Sequence, residues 1–169
     1  TVSTGGCLPD VLTRIKQMIT VDEFMTTELC TLGEDDSITD ARAIMTEKHI
    51  RHIPITDSDS RMLGLVTQRD VLAATEPELL KLAGDKADVY GADIKLSDIM
   101  IRDVSVIHQT DSLRKAAMYM QSHKYGCLPV VSDGRLVGII TDSDFIAIAI
   151  NLIEQAELNE DEIGAEDAL

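Results

Sequence analysis

The chain repeats itself once. Met25, Asp36-Ser37, Ala41, Met45 and Pro54 recur 75 residues later as Met100, Asp111-Ser112, Ala116, Met120 and Pro129. Past the next turn the offset becomes 74, so Arg61, Gly64, Thr67 and Asp70 recur as Arg135, Gly138, Thr141 and Asp144. The missing residue falls in that turn, where Ser132-Asp133-Gly134 replaces the longer polar stretch 57–60. An Asp-Gly pair closes a hairpin tightly, so the shortening leaves the strands intact. A unit of about 50 residues is used only twice, so a closed pair is expected rather than a solenoid.

Hydrophobic spacing gives each unit the order strand, helix, strand, strand, helix. Ahead of the first unit, residues 8–19 carry apolar side chains at helical spacing, with Pro9 near the start where proline is tolerated. Residues 21–25 read as a further short turn and 29–32 as a short strand. Ser37 is the predicted cap of a helix with Asp40 at its third position. That helix runs to about Lys48 and aligns Ile38, Ala41, Ile44 and Met45. A strand at 52–56 follows, whose Pro54 suggests an edge or a strand start. A second strand at 62–66 runs into a helix at Thr67. Periodicity then fades around Pro77, Gly84 and Gly91. The expected layout is an N-terminal helical segment at 1–20, repeats at 21–75 and 96–150, a connector at 76–95, and an acidic helix end or tail at 151–169.

Charge narrows the function. The net charge is −15, and residues 151–169 hold seven acids and no Lys or Arg, so residues 1–150 still carry −8. Phosphate neutralisation needs a basic surface, so nonspecific nucleic-acid binding is not expected. Two Phe, three Tyr and no Trp leave few platforms for stacking single strands. No apolar run approaches the ~20 residues of a membrane span, and no basic-then-apolar leader opens the sequence. The first residue is Thr1, which fits a piece of a longer parent chain. Cys7, Cys30 and Cys127 are an odd set with no CxxC spacing, as expected of a reducing cytoplasm. With His49, His52, His108 and His123 they make no zinc-type pattern, so no metal is expected.

Several motifs recur in one order, twice. They are Phe24-Met25, Ser37-Ile-Thr-Asp-Ala41, Ile53-Pro54-Ile55 and Gly64-Leu-Val-Thr-Gln-Arg-Asp70, then Ile99-Met100, Ser112-Leu-Arg-Lys-Ala116, Leu128-Pro129-Val130 and Gly138-Ile-Ile-Thr-Asp-Ser-Asp144. Over residues 21–150 the chain resembles a tandem pair of cystathionine-β-synthase (CBS) domains, a Bateman module. Lys115 departs from the pattern where the first copy has Asp40, and Cys127 where it has His52. The resemblance implies an α+β fold in which two repeats pack through their sheets with pseudo-twofold symmetry, and commonly a homodimer. It implies a non-catalytic sensor that binds an adenosyl ligand in clefts between the repeats, requires no cofactor, and regulates an attached or partner protein. AMP, ADP and ATP are the leading ligand class, with NAD and S-adenosylmethionine as further candidates. Carried over, one half-site is Arg51, His52, Leu65, Thr67 and Asp70. The other is Gly126, Cys127, Ile139, Thr141 and Asp144.

The residues support this chemistry in their own right. A carboxylate accepts two hydrogen bonds and suits the paired hydroxyls of a ribose. Thr-x-x-Asp is equally a helix capping box, and both roles remain open at each junction. Arg51, His52 and Arg69 gather near the first junction, where they suit phosphates or simply balance an acidic surface. His123 and Lys124 are the cations nearest the second junction in sequence. Cys127 and His123 lack an orienting partner and an oxyanion site, so no catalytic set is expected. The stretch 145–153 is apolar on nearly all sides if helical. It is expected to pack partly in the module and partly against a second subunit, complete burial in one chain being the alternative. A structural dimerisation module without a small ligand is the competing function.

Overall fold

The structure, a computed structural model, describes residues 19–75 and 94–166. The helix expected at 8–19, apart from Ile19, and most of the connector lie outside the described residues. The first repeat opens with a 3-10 turn, Val21–Glu23, followed by α1 (Ile38–Lys48), β1 (His52–Thr56), β2 (Met62–Thr67) and α2 (Gln68–Ala74). The second runs α3 (Leu96–Ile99), β3 (Ile107–His108), α4 (Leu113–His123), β4 (Cys127–Ser132), β5 (Arg135–Thr141) and α5 (Asp142–Glu166).

Local chemistry sets these boundaries. Ser37 Oγ accepts the Asp40 amide at 3.2 Å while Asp40 Oδ2 accepts the Ser37 amide at 3.0 Å, closing a capping box. The Ser37 bonds hold the Asp40 carboxyl below its ordinary pKa. In the second repeat Ser112 Oγ accepts the Lys115 amide, and the Lys115 ammonium reaches Asp111 at 2.7 Å. That bond leads the effects that lower the Asp111 pKa. A lysine at the third position is therefore tolerated because its acid partner sits just ahead of the cap. Both helices end on a left-handed residue, His49 (φ 54°) and Lys124 (φ 59°).

β1 and β2 form an antiparallel hairpin, while β3, β4 and β5 form a three-stranded sheet in that order. The strand expected at 29–32 shrinks to one parallel bridge, with Leu32 N–H on Pro54 O and Thr56 N–H on Leu32 O. Its counterpart β3 has two residues. Gly33 stands where the second repeat has His108, and glycine holds an extended strand poorly. The β4–β5 loop is Asp133-Gly134, both at positive φ, as a two-residue hairpin requires.

The repeats exchange their leading segments. Ile38, Ala41, Met45, Ile53, Ile55 and Val66 form one core, and Leu96 and Met100 from the second repeat complete it. Leu113, Ala116, Met120, Leu128, Val130 and Ile140 form the other, completed by Val21 and Met25 from the first. Matched backbone bonds hold the exchange. Ile38 N–H donates to Ile94 O at 3.1 Å and Leu113 N–H to Ile19 O at 2.8 Å. Leu96 N–H donates to Asp36 O at 2.8 Å and Val21 N–H to Asp111 O at 2.9 Å. This is the pseudo-twofold relation in hydrogen bonds.

The crossing closes over two glycines. Leu65 and Ile101 exchange both backbone bonds at 2.9 Å, and Thr26 and Ile139 do the same at 2.9 and 3.0 Å. A Cβ on Gly64 would lie 2.7 Å from Met100 Sδ and 2.9 Å from Ile101 O. A Cβ on Gly138 would collide with Met25 Sδ. These glycines are needed for close approach of the other repeat.

α5 is only partly covered. Phe145 and Ile148 pack on the second core, but Ile146, Ile150 and Ile153 are 61%, 50% and 57% exposed. Complete burial of this helix within one chain is therefore excluded. Among the described residues no helix is long and apolar enough to cross a membrane.

Gly64→Ala is expected to destabilise the protein by about 1–3 kcal/mol, as overpacking does. Gly33→Ala has only an ordinary 3.6 Å contact to meet and is expected to be neutral or stabilising. Urea unfolding of the two variants checks the contrast.

Candidate functional site

The two repeated junctions share the carboxylate side of the cap, and only the first adds the return bond to the threonine hydroxyl. Thr67 amide and hydroxyl donate to Asp70 Oδ2 at 2.8 and 2.6 Å, and the Asp70 amide donates to Thr67 Oγ at 3.3 Å. Thr141 amide and hydroxyl donate to Asp144 Oδ2 at 2.7 and 2.8 Å. Capping therefore occurs at both. It uses one carboxylate oxygen, and Oδ1 of Asp70 takes no hydrogen bond among the described residues. A carboxylate has about four lone-pair positions, so the cap leaves acceptor capacity for another group.

Around the first junction the exchanged segments build a cleft of about 620 Å³. One wall comes from the first repeat: Arg51 and His52 at the start of β1, Leu65 and Thr67 on β2, and Arg69 and Asp70 on α2. Register brings these together, because His52 pairs with Thr67 across the hairpin. The other wall comes from the second repeat. Ile101, Asp103, Val104 and Ser105 follow the crossing, and residues 124–127 join α4 to β4. Gln68, Leu72 and Asp142 complete the lining.

The repeats touch at the cleft floor. A Cβ on Gly126 would lie 3.1 Å from His52 Cε1, so the imidazole packs on the glycine backbone. Burial pushes the His52 pKa below its ordinary value, with Arg51 in the same direction and Asp142 and Asp70 opposing. Burial, aided by Asp142, pushes the Cys127 thiol up to about 12. A thiol that does not ionise is a poor nucleophile. Cys127 is thus a small wall residue. Among the described residues no group of three or more His, Cys, Asp or Glu is placed to hold a metal.

The CBS domain profile matches residues 21–76 and again 96–151, the same two units that exchange segments. The chain belongs to the CBS domain family. Solved CBS-type structures resemble it over nearly their whole length. A Vibrio cholerae protein assigned to acetoin utilization (AcuB) is 44% identical, with a TM-score of 0.73 over 83% of this chain and 98% of that one. CBSX2 in complex with AMP is 31% identical, with a TM-score of 0.65 over 79% and 98%. The CBS domain pair of MJ0100, in complex with 5′-methylthioadenosine and S-adenosyl-L-methionine, is 26% identical, with a TM-score of 0.65 over 79% and 98%. Among curated relatives, the homoserine O-acetyltransferase of Methanohalobium evestigatum is 31% identical over 83% of this chain. The chain spans only 26% of that protein's length.

Within this CBS pair the predicted residues do not divide as their repeats suggest. Arg51, His52, Leu65, Thr67, Arg69 and Asp70 line one cleft together. Gly126 and Cys127, grouped by sequence with the second junction, border that same cleft. They stand between the junctions: Cys127 pairs with Thr141, and Gly126 O accepts the Asp142 amide. Ile139, Thr141 and Asp144 lie outside it. Lys124, the cation expected near the second junction, delivers its charge to the first, because the α4–β4 loop crosses to that side. Sequence reasoning missed the wall at 101–105 and Tyr125. The available signal was the glycine inside each strand, which marks where another backbone must lie.

Folding depresses the His52 pKa, so its stabilising effect is present above the unfolded histidine value of 6.5 and is lost as pH falls through the folded value. Asp40 and Asp111, lowered from 3.8, lose theirs only in stronger acid. The melting temperature is expected to decline as pH drops below 6.5, and His52→Gln is expected to flatten that decline. Thermal melts across this range provide the check.

Proposed function

We propose that this CBS pair is a non-catalytic regulatory sensor that binds an adenine nucleotide in the cleft around Thr67 and Asp70. One observation carries the reading. Asp70, with acceptor capacity beyond its cap, shares a 620 Å³ cleft with Arg51, Arg69 and Lys124. The carboxylate suits ribose hydroxyls, and the guanidinium groups suit a phosphate. Apolar Leu65, Ile101 and Val104 suit the base. Two CBS relatives are solved with adenosyl compounds, one of them AMP. Arg51, Arg69 and Lys124 are matched in number by Asp70, Asp103 and Asp142. The preference for a phosphate over the sulfonium of S-adenosylmethionine therefore rests on the guanidinium pair Arg51 and Arg69, whose planar forks suit phosphate oxygens. At the second junction Gly126 and Ser143 stand where the first has Arg51 and Arg69, so binding there is weaker or absent. Because the cleft is built from both repeats, a bound nucleotide favours one arrangement of the pair. An attached or partner protein reads that change, in a cytoplasmic setting.

The exposed stripe of Ile146, Ile150 and Ile153 supports a second copy of the chain docked on α5. A homodimer is compatible with nucleotide sensing. It is also what remains if the junctions serve only as caps, which is the alternative function.

Calorimetry with AMP, ADP, ATP, NAD and S-adenosylmethionine separates the two. Saturable binding of AMP, ADP or ATP is expected, and a stable dimer that binds none of the five supports the alternative. Asp70→Ala is expected to weaken AMP by roughly 10–100-fold, the worth of a hydrogen bond to a charged group, while Asp144→Ala leaves affinity unchanged. Arg51→Ala is expected to weaken ATP and to spare adenosine. An unchanged ATP affinity in that variant would remove the phosphate assignment.

A further inference from the structure

Tyr125 breaks the repeat. Its counterpart in the first repeat is Ile50, and both donate the backbone amide to the matching methionine carbonyl, Met120 O and Met45 O, at 3.1 Å. Ile50 is partly buried against its own core. Tyr125 instead is 43% exposed and lines the cleft. An aromatic has been placed where packing alone asked for an aliphatic residue. Two of the three tyrosines in a chain without Trp meet here.

The ring is held from behind. His123 stacks on Tyr125 with centroids 5.6 Å apart and an interplanar angle of 27°. Tyr119 stacks on His123 at 4.1 Å and lies 6.0 Å from Tyr125. The Tyr119 hydroxyl hydrogen-bonds the Ser105 hydroxyl at 2.9 Å, and Ser105 is itself part of the cleft wall. Both sides of the second-repeat wall are thus tied to one aromatic stack. Such a stack pre-orients a flat surface at little further entropy cost.

We infer that Tyr125 is a base-stacking residue, the specificity element that selects a purine in this cleft, with His123 and Tyr119 as the residues that position its ring. The inference rests on the nucleotide reading above. It also assigns the stack to one side of the pseudo-twofold axis, because Ile50 occupies the matching position on the other.

The test is a set of titrations on the full chain. AMP is expected to change the tyrosine emission of the unsubstituted protein, which no tryptophan obscures. By calorimetry Tyr125→Leu is expected to lose about tenfold in AMP affinity, within the range of base–aromatic stacking, and Tyr125→Phe is expected to retain it. The preference for AMP over CMP is expected to shrink in Tyr125→Leu, a readout that a merely structural ring would not move. A Tyr125→Leu protein that melts lower but binds AMP with unchanged affinity and unchanged preference overturns the stacking role and leaves the nucleotide reading standing. An unsubstituted protein that binds neither AMP nor CMP overturns both.

Discussion

Two short antiparallel contacts hold the molecule together, Leu65 with Ile101 and Thr26 with Ile139. Each passes over a glycine because a single methyl would strike the methionine laid across it. Everything else follows from this crossing. It delivers Leu96 and Met100 into the first core and Val21 and Met25 into the second, so neither repeat can complete its core alone. It also fixes where the chain goes next. After Ile101, residues 103–105 run along the far side of the Thr67–Asp70 junction and close the cleft. The packing that stabilises the pair and the geometry of the site are one feature.

Much of this was legible in the residues. The offset of 75 and then 74 marks the units, and the Ser37, Thr67 and Thr141 caps place helix starts that the structure reproduces. The strands 52–56 and 62–67 follow from short apolar runs bounded by polar turns, and their central residues are buried consecutively. The exchange of segments was not legible. Val21 and Leu96 occupy equivalent positions with equivalent hydrophobicity, so either core would accept either segment, and no local signal decides between them. Only Gly64 and Gly138 hinted that a second backbone passes there. The same ambiguity hid that Lys124, Gly126 and Cys127, which belong by sequence to the second repeat, also border the cleft around the first junction. The short strand at 29–32 failed for a local reason, Gly33 at its end.

The pseudo-twofold axis makes the two junctions equivalent in backbone position and unequal in chemistry. Arg51 faces the first junction where Gly126 takes its place in the second repeat, Arg69 is replaced by Ser143, and Tyr125 answers Ile50. Charge, cation geometry and an aromatic surface thus collect on one side. His52 lies between, half-buried against Gly126, with Asp142 and Asp70 acting on its charge. A ligand on that side touches both repeats at once, which is what a sensor of their relative packing requires. The exposed isoleucines of α5 begin one turn beyond Asp142 on the cleft wall.

A crystal structure of the chain grown with AMP tests the central claim most directly. One nucleotide per chain is predicted in the cleft, with its ribose on Asp70 and its phosphate toward Arg51 and Arg69. A nucleotide held at Asp144 instead, or a cleft that stays free of nucleotide at saturating AMP, would contradict it.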